Sequence, residues 1–321
     1  VAQGLLDAAG RGERVHSHSI VLEQPGCVNE TPCIDEVVRH WRLAASYHPL
    51  GSGESIDWAA QARRRRYLPD YPTAAANLTL AAAVRDSGRR VLLTGMGGNT
   101  WLGGGVYPFQ DFIARGEYGL LVDELRYQAL EWGWPAALNR MLRGLAWPAL
   151  PRPLRAWLEH RRRRIRGNAL LAPEFARHVR LEERLHSRDS GGRFANLARW
   201  ETWHWGTRGM LAHTFECGDR EDAWQGVESR HPYFDRRLVE FLAPLPARFK
   251  RQGAHDRVLL LHSGCLPPAL LRGGAQGEFS VTAHRELARE GAMESLRNLE
   301  IAGQGWVEQA VVDASLPLLR K

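Results

Sequence analysis

The sequence predicts an α/β fold: a doubly wound parallel sheet formed within the first hundred residues, followed by a largely helical half. Three observations carry that prediction. Strand-like and helix-like segments alternate from Val1 to Leu93, the order that yields parallel strands joined by right-handed helical crossovers. The apolar run Val91-Leu92-Leu93 then breaks into Thr94-Gly95-Met96-Gly97-Gly98-Asn99-Thr100-Trp101-Leu102-Gly103-Gly104-Gly105. That reads as a buried parallel strand whose carboxyl end opens into a glycine-rich turn. Beyond Gly105 the pattern changes to tryptophan-rich helices with no convincing strand.

The elements follow in order. Val1 to Ala9 has helical character and Arg14 to Leu22 is strand-like. Asn29-Glu30-Thr31-Pro32 offers an N-cap and an early proline for a helix reaching about Ala45, with Ile34, Val37, Val38 and Trp41 at helical spacing. A short strand at Ala45 to Tyr47, a helix at Ile56 to Arg65, the rigid turn Pro69-Asp70-Tyr71-Pro72 and an alanine-rich helix at Thr73 to Ser87 lead to the Val91 strand. Residues 1–105 are therefore expected to form the α/β part and residues 106–321 the helical part. Helices are expected at Tyr107 to Arg115, Leu120 to Trp132, Pro135 to Leu145, Arg152 to Arg164, Phe194 to Phe215, Arg236 to Phe241, Asp256 to His262 and His284 to Arg297. Ser190-Gly191-Gly192 follows no strand and reads as a plain connection.

Composition narrows the function classes. The formal charge of +7 comes largely from arginine runs at Arg63 to Arg66 and Arg161 to Arg166. No aromatic-interleaved or zinc-finger pattern accompanies them, so they read as solvated faces rather than a nucleic-acid surface. Cys27, Cys33, Cys217 and Cys265 lack the paired spacing of a zinc site. Free thiols point to a reducing, cytoplasmic compartment. No stretch has the length of a membrane span, and Val1 to Gly10 is not a signal peptide but resembles the middle of a helix. His16 and His18 share one side of a strand and lack a third ligand, so no metal site is expected. His213 and Cys217 are four apart on a helix without an orienting acid. The tryptophans between Trp132 and Trp224 read as helix-packing anchors.

Two stretches carry the chemistry. Glycine lets backbone N–H groups approach an anion, and in open α/β sheets such turns form the ligand crevice. The second stretch is Gly226-Val227-Glu228-Ser229-Arg230-His231-Pro232-Tyr233-Phe234-Asp235, preceded by Asp219-Arg220. Its acids and bases can form a local ion-paired turn, with Asp235 capping the helix that follows, or they can belong to a site.

Taken together, Thr94-Gly95-Met96-Gly97-Gly98 and the later Glu-x-Arg-x-Pro-Tyr-x-Asp resemble the synthetase domain of the asparagine synthetase family, which includes β-lactam synthetases and lasso-peptide cyclases. The resemblance extends to about Phe279 and also draws on Glu30, Pro69 to Pro72, Leu266-Pro267-Pro268 and Glu278-Phe279-Ser280. It implies an adenine-nucleotide α-hydrolase-like fold of the ATP pyrophosphatase type. It also implies ATP-dependent chemistry with magnesium: a small-molecule or peptide carboxylate is adenylated, and an amine then displaces AMP to give an amide. Carried over by position, Ile20, Thr94, Gly95, Met96 and Gly97 line the adenine and α-phosphate. Glu228 binds or deprotonates the amine, and Arg230 orients it. An upstream glutaminase domain is a possible companion.

The chain departs from the family pattern at three charged positions. The pyrophosphate loop Ser-Gly-Gly-x-Asp-Ser is expected upstream of Val1, which makes the chain an N-terminally truncated member. The family's Gly-x-Gly-Gly-Asp-Glu stands here as Gly95-Met96-Gly97-Gly98-Asn99-Thr100, and the lysine before Glu-Phe as Gln276. These losses imply a degenerate member with weak or no activity, or a pseudoenzyme that uses the fold to bind a peptide or protein partner.

Overall fold

The computed structural model describes residues 2–21, 29–49, 74–103, 107–146, 170–181, 197–207, 209–253, 258–272 and 296–316, with a few short stretches between them. The expected helix at Ile56 to Arg65, the Pro69 to Pro72 turn, the second arginine run, the Ser187 to Arg193 connection and Glu278-Phe279-Ser280 lie wholly or largely outside these residues. Two compact units are present. One comprises Val1–Met141 with Leu197–Phe279, and the other Leu142–Asn196 with Ser280–Lys321.

The first unit begins with helix α1 (Ala2–Ala8) and strand β1 (His16–Val21), followed by helix α2 (Thr31–Trp41) and strand β2 (Ala44–Pro49). Asn29 Oδ1 accepts the Thr31 N–H at 2.9 Å, and Pro32 fits the first turn, where no N–H is needed. Arg42, at φ 50°, closes α2 in the left-handed region and turns the chain into β2. β1 and β2 pair in parallel from His16 opposite Ala44 to Val21 opposite Pro49. The even positions put His16, His18, Ser46 and His48 on one face of this ribbon. Helix α3 (Ala74–Asp86) leads to strand β3 (Val91–Leu93) and packs on both β1 and β3.

Here the structure departs from the expected sheet. β3 pairs in parallel not with the first two strands but with β4 (Glu228–Arg230), giving separate two-stranded ribbons among the described residues. The expectation of a strandless second half is therefore wrong: β4 and the short antiparallel pair β5 (Arg251–Gln252) and β6 (His255–Asp256) lie there. β4 is only three residues long and alternates Glu, Ser and Arg, so it has no apolar signature. β3 is also not buried as expected, since Val91 and Leu93 are 43% and 52% exposed on a ribbon face left uncovered.

The helical elements of this unit are α4 (Gly98–Leu102), α5 (Phe109–Ala114), α6 (Tyr118–Trp132), α7 (Trp134–Ala146), α8 (Leu197–Thr207), α9 (Gly209–Trp224), α10 (Arg236–Leu242) and α11 (Val258–Leu261). α7 begins in this unit and runs past its last residue, Met141. The helix expected at Phe194 to Phe215 is described as α8 and α9, on either side of residue 208, which lies outside the described residues, and α9 runs on to Trp224. Its core is Trp101, Leu102 and Leu242, with Tyr233, Phe234, Leu238, Val239 and Leu259 packed around them. Gly206 of α8 lies against the Trp101 ring so closely that any side chain there would collide with it. Several other tryptophans are not packing anchors. Trp132, Trp134, Trp205 and Trp224 are exposed, and the Arg140 guanidinium lies 3.5 Å from the ring centre of Trp132. In the second unit the isolated bridge Leu171–Val307 and the stacked rings of Phe175 and Trp306, 5.4 Å apart, hold residues 170–181 to 296–316. Cys33, Cys217 and Cys265 are free thiols, and Cys27 lies outside the described residues. No described helix is long and apolar enough to cross a membrane.

Two polar features fix this fold energetically. Glu124 of α6 is fully buried and receives the Arg251 Nε–H at 2.9 Å and the Gln128 amide at 2.7 Å. Removing one partner of a buried ion pair strands the other's charge. Arg251→Met is therefore expected to cost about 3–5 kcal/mol, read as a lowered urea midpoint. The second feature is the imidazole row. His18 Nδ1 and His48 Nε2 share a hydrogen bond at 3.2 Å, and His16 Nε2 meets Ser46 Oγ at 2.8 Å. Burial, then neighbouring positive charge from Arg89 and the other imidazoles, pushes His16 and His18 below the usual histidine value of 6.5. Their neutral forms suit the fold, so the unfolded chain binds more protons just below pH 6.5 and stability falls as pH falls. The urea midpoint should drop between about pH 7.5 and pH 5.5, and the double change His16→Gln with His18→Gln should flatten that slope.

Candidate functional site

The site is built where β3 and β4 end together. The Glu228 N–H donates to Arg90 O at 2.7 Å and the Thr94 N–H to Arg230 O at 2.9 Å. This parallel register brings the glycine turn beside the Glu-x-Arg stretch, although 137 positions of chain separate Thr94 from His231. Gly97 takes φ 92°, a left-handed value suited to glycine, and a Cβ there would sit 2.5 Å from the Phe234 ring. Gly98 meets Tyr233 at ordinary contact distance, 3.6 Å. These two glycines let the turn pack on the Pro232-Tyr233-Phe234 segment. Gly95 differs, because among the described residues, its chain neighbours apart, no atom lies within 4 Å of where its Cβ would be. Open space therefore adjoins the backbone of Thr94 to Met96.

Pleating divides the site residues between two faces. Val91 pairs with Glu228 and Leu93 with Arg230, so those four side chains share the uncovered face of the ribbon. There the Arg230 Nε–H donates to Glu228 Oε1 at 2.7 Å with both side chains more than half exposed. This hydrogen bond, with the attraction of the guanidinium, holds the Glu228 carboxyl below its ordinary value and raises Arg230. The nearby Asp235 also does what the local reading expected: its Oδ1 accepts the Arg237 N–H at 2.9 Å and caps α10. Hydrogen bonds from Arg237 lower the Asp235 carboxyl to about 2.

The opposite face holds a group that the sequence reading missed. Thr94 Oγ1 lies 2.6 Å from His231 Nδ1, and His231 Nε2 faces Asp219 Oδ1 at 4.0 Å. The Phe215 ring is tilted against the imidazole with centroids 4.8 Å apart. Next to it, Ser229 donates to Asp222, whose carboxyl is raised, first by burial and further by Asp219, against the opposing effects of Ser229 and His231. A period-two reading of β3 and β4 would have found this pair, because Thr94 and His231 each follow the last outward residue of their strand. Ile20 belongs to the other ribbon, on β1, whose only strand partner among the described residues is β2. Gln276 lies outside the described residues.

A parallel ribbon ending in a glycine turn and a Glu-x-Arg-x-Pro segment, set among helices, makes this a mixed α/β domain. The chain belongs to the asparagine synthase family, whose profile matches residues 3–321. No curated protein matches it. Magnesium, which the family resemblance implies, does not fit the residues present. Asn99 and Thr100 supply only neutral oxygens where a hard cation favours carboxylates. Among the described residues no group of three or more His, Cys, Asp or Glu is placed to hold a metal.

The Gly97 contact yields a direct test. Gly97→Ala forces a positive φ on an L-residue and drives a methyl into Phe234. It should cost about 1–3 kcal/mol, seen as a lower melting temperature, while Gly95→Ala at its open position should cost less.

Proposed function

We propose that the chain is an ATP-dependent, carboxylate-adenylating, amide-forming domain related to glutamine-hydrolysing asparagine synthase, with weak or no turnover of its own. The observation that carries this is the union of Thr94–Gly98 and Glu228–His231 at one ribbon end, in a chain whose family match spans residues 3–321. In this reading residues 1–105 are the nucleotide-binding part and residues 106–321 complete the synthetase domain. Ile20, Thr94, Gly95, Met96 and Gly97 line the adenine and α-phosphate. The space beside Gly95 suits a phosphate approaching backbone N–H groups. Glu228, kept ionised by Arg230, suits binding an ammonium better than deprotonating it. The carboxylate is a small molecule or a peptide, a glutaminase domain is the companion, and the compartment is the cytoplasm.

The two ribbons are, in the same reading, parts of one doubly wound sheet. Its support is α3, which packs on β1 and β3 alike, and Arg89, whose charge at the entry to β3 bears on His16 and His18 of β1. A binding-only role is favoured by one specific observation, the replacement of both carboxylates by Asn99 and Thr100.

The test is ATP–pyrophosphate exchange. Each lost electrostatic contact typically costs on the order of 3 kcal/mol in a transition state, about a hundredfold in rate. We expect no measurable exchange from this chain with amino-acid or peptide carboxylates. Exchange should appear when Asn99→Asp and Thr100→Glu are combined with the upstream loop. Robust exchange by the unmodified chain would overturn the assignment of those positions.

A further inference from the structure

We propose that helix α7 is a membrane-docking surface: its exposed Trp134–Leu138–Leu142 stripe beds into an anionic lipid leaflet while neighbouring arginines meet the headgroups. The inference is independent of the adenylation reading and concerns a helix that the ribbon site does not use.

The argument starts from helical geometry. Each residue turns an α-helix by about 100°, so positions four apart differ by about 40°. Trp134, Leu138 and Leu142 of α7 therefore share an arc of about 80° over roughly two turns. They are 55%, 41% and 59% exposed. In a globular protein such a stripe ordinarily faces the core. Here the helix is seated on another side, because Ala137, about 100° round from the middle of the stripe, is fully buried. A small side chain makes the contact with the protein, and the large apolar ones are left to solvent. Apolar groups exposed together rather than singly mark an interaction surface.

Charge selects the occupant. The only charged residues of α7 are Arg140 and Arg143, and both lie well away from the middle of the stripe. The Arg140 guanidinium caps the ring of Trp132, itself exposed just ahead of the helix. Arginine can lay its stem along apolar surface and keep its head among phosphates. Beyond α7 the sequence adds Arg152, Arg155, Arg161 to Arg164 and Arg166 against one acid, Glu159, and the nearest acid before the helix is Glu131. Tryptophan and leucine on one side with arginine on the other is the composition of helices that lie in the plane of a bilayer interface. Tryptophan suits the headgroup level, and each basic residue near an anionic leaflet adds attraction. A nucleic acid would engage the arginines and leave Leu138 and Leu142 without a partner. A second copy docked through the same face would bring like charges together.

The experiment uses the full chain and vesicle flotation. Vesicles of equal parts phosphatidylglycerol and phosphatidylcholine should carry the protein upward. Affinity should fall at least about tenfold on phosphatidylcholine alone, or in about 0.5 M salt. The neutral double change Leu138→Gln with Leu142→Gln should also lose at least about tenfold, with an unchanged urea midpoint because both positions are exposed. Leu138→Met with Leu142→Met keeps the face apolar and should bind like wild type. No flotation, or equal binding to neutral and anionic vesicles, overturns the proposal without recourse to any variant. Undiminished binding by the glutamine variant also overturns it, because the arginines would then act without the stripe. RNA binding in the absence of vesicle binding would assign the charge to nucleic acid. A dimer in sedimentation that the glutamine variant abolishes would assign the stripe to a second copy. Either result refutes a lipid occupant.

Discussion

Pairing of β3 with β4 is the constraint on which the site depends. Two backbone hydrogen bonds at its ends, Glu228 N–H to Arg90 O and Thr94 N–H to Arg230 O, fix the register. A shift by one residue would exchange the two faces, because side chains alternate along a strand. If β4 slipped, His231 would point out while Thr94 stayed inward, and the Glu228–Arg230 pair would turn to the inner face. The packing of Gly97 against Phe234 resists such a slip, since it admits no side chain there. This glycine therefore acts first on register, and through register on which functional groups share a face.

Elsewhere in the same unit, several charged groups are tied to backbone or to a partner. Asp111 of α5 accepts the Ala247 N–H at 2.8 Å, holding the turn that carries Lys250. Lys250 itself is buried, and burial lowers it to about 8 despite the attraction of Asp111. Arg248 reaches Glu117 at 2.6 Å, and Arg251 reaches Glu124. Three successive basic residues of one turn region are thus spent on α5 and α6 and on the turn before α6. The arginine-rich composition, read as solvated surface, includes internal ties of this kind that charge counting does not reveal.

What the sequence disclosed follows the range of the interactions involved. Elements set by local periodicity and caps were legible, among them β1, α2, α3, α6 and α10 with its Asp235 cap. Family membership was legible because the glycine turn and the Glu-x-Arg-x-Pro segment are local strings. Partnerships were not. β4 has three residues and no apolar alternation, so only β3 reveals it as a strand. His16 and His18 were visible as a pair, while His48 joins them through the β1–β2 register. The exposure of Trp132 and Trp134 escaped because composition reports an aromatic ring and not its surroundings. His231 was quoted as the unspecified residue of a motif, and its role appears only once Thr94 is beside it.

The long interval between the two halves of the ribbon also has a consequence during synthesis. A ribosome adds roughly 5–20 residues per second, and 137 positions separate Thr94 from His231. The glycine turn and the strand before it therefore emerge roughly ten seconds or more ahead of their partner. For that interval Val91 to Leu93 is an apolar segment with open hydrogen-bonding edges, of the kind that chaperones and neighbouring chains capture. Residues 142–196, which belong to the other compact unit, lengthen the wait. The yield of this protein in a cell is thus tied to the pace of translation through the chain that separates the strand from its partner.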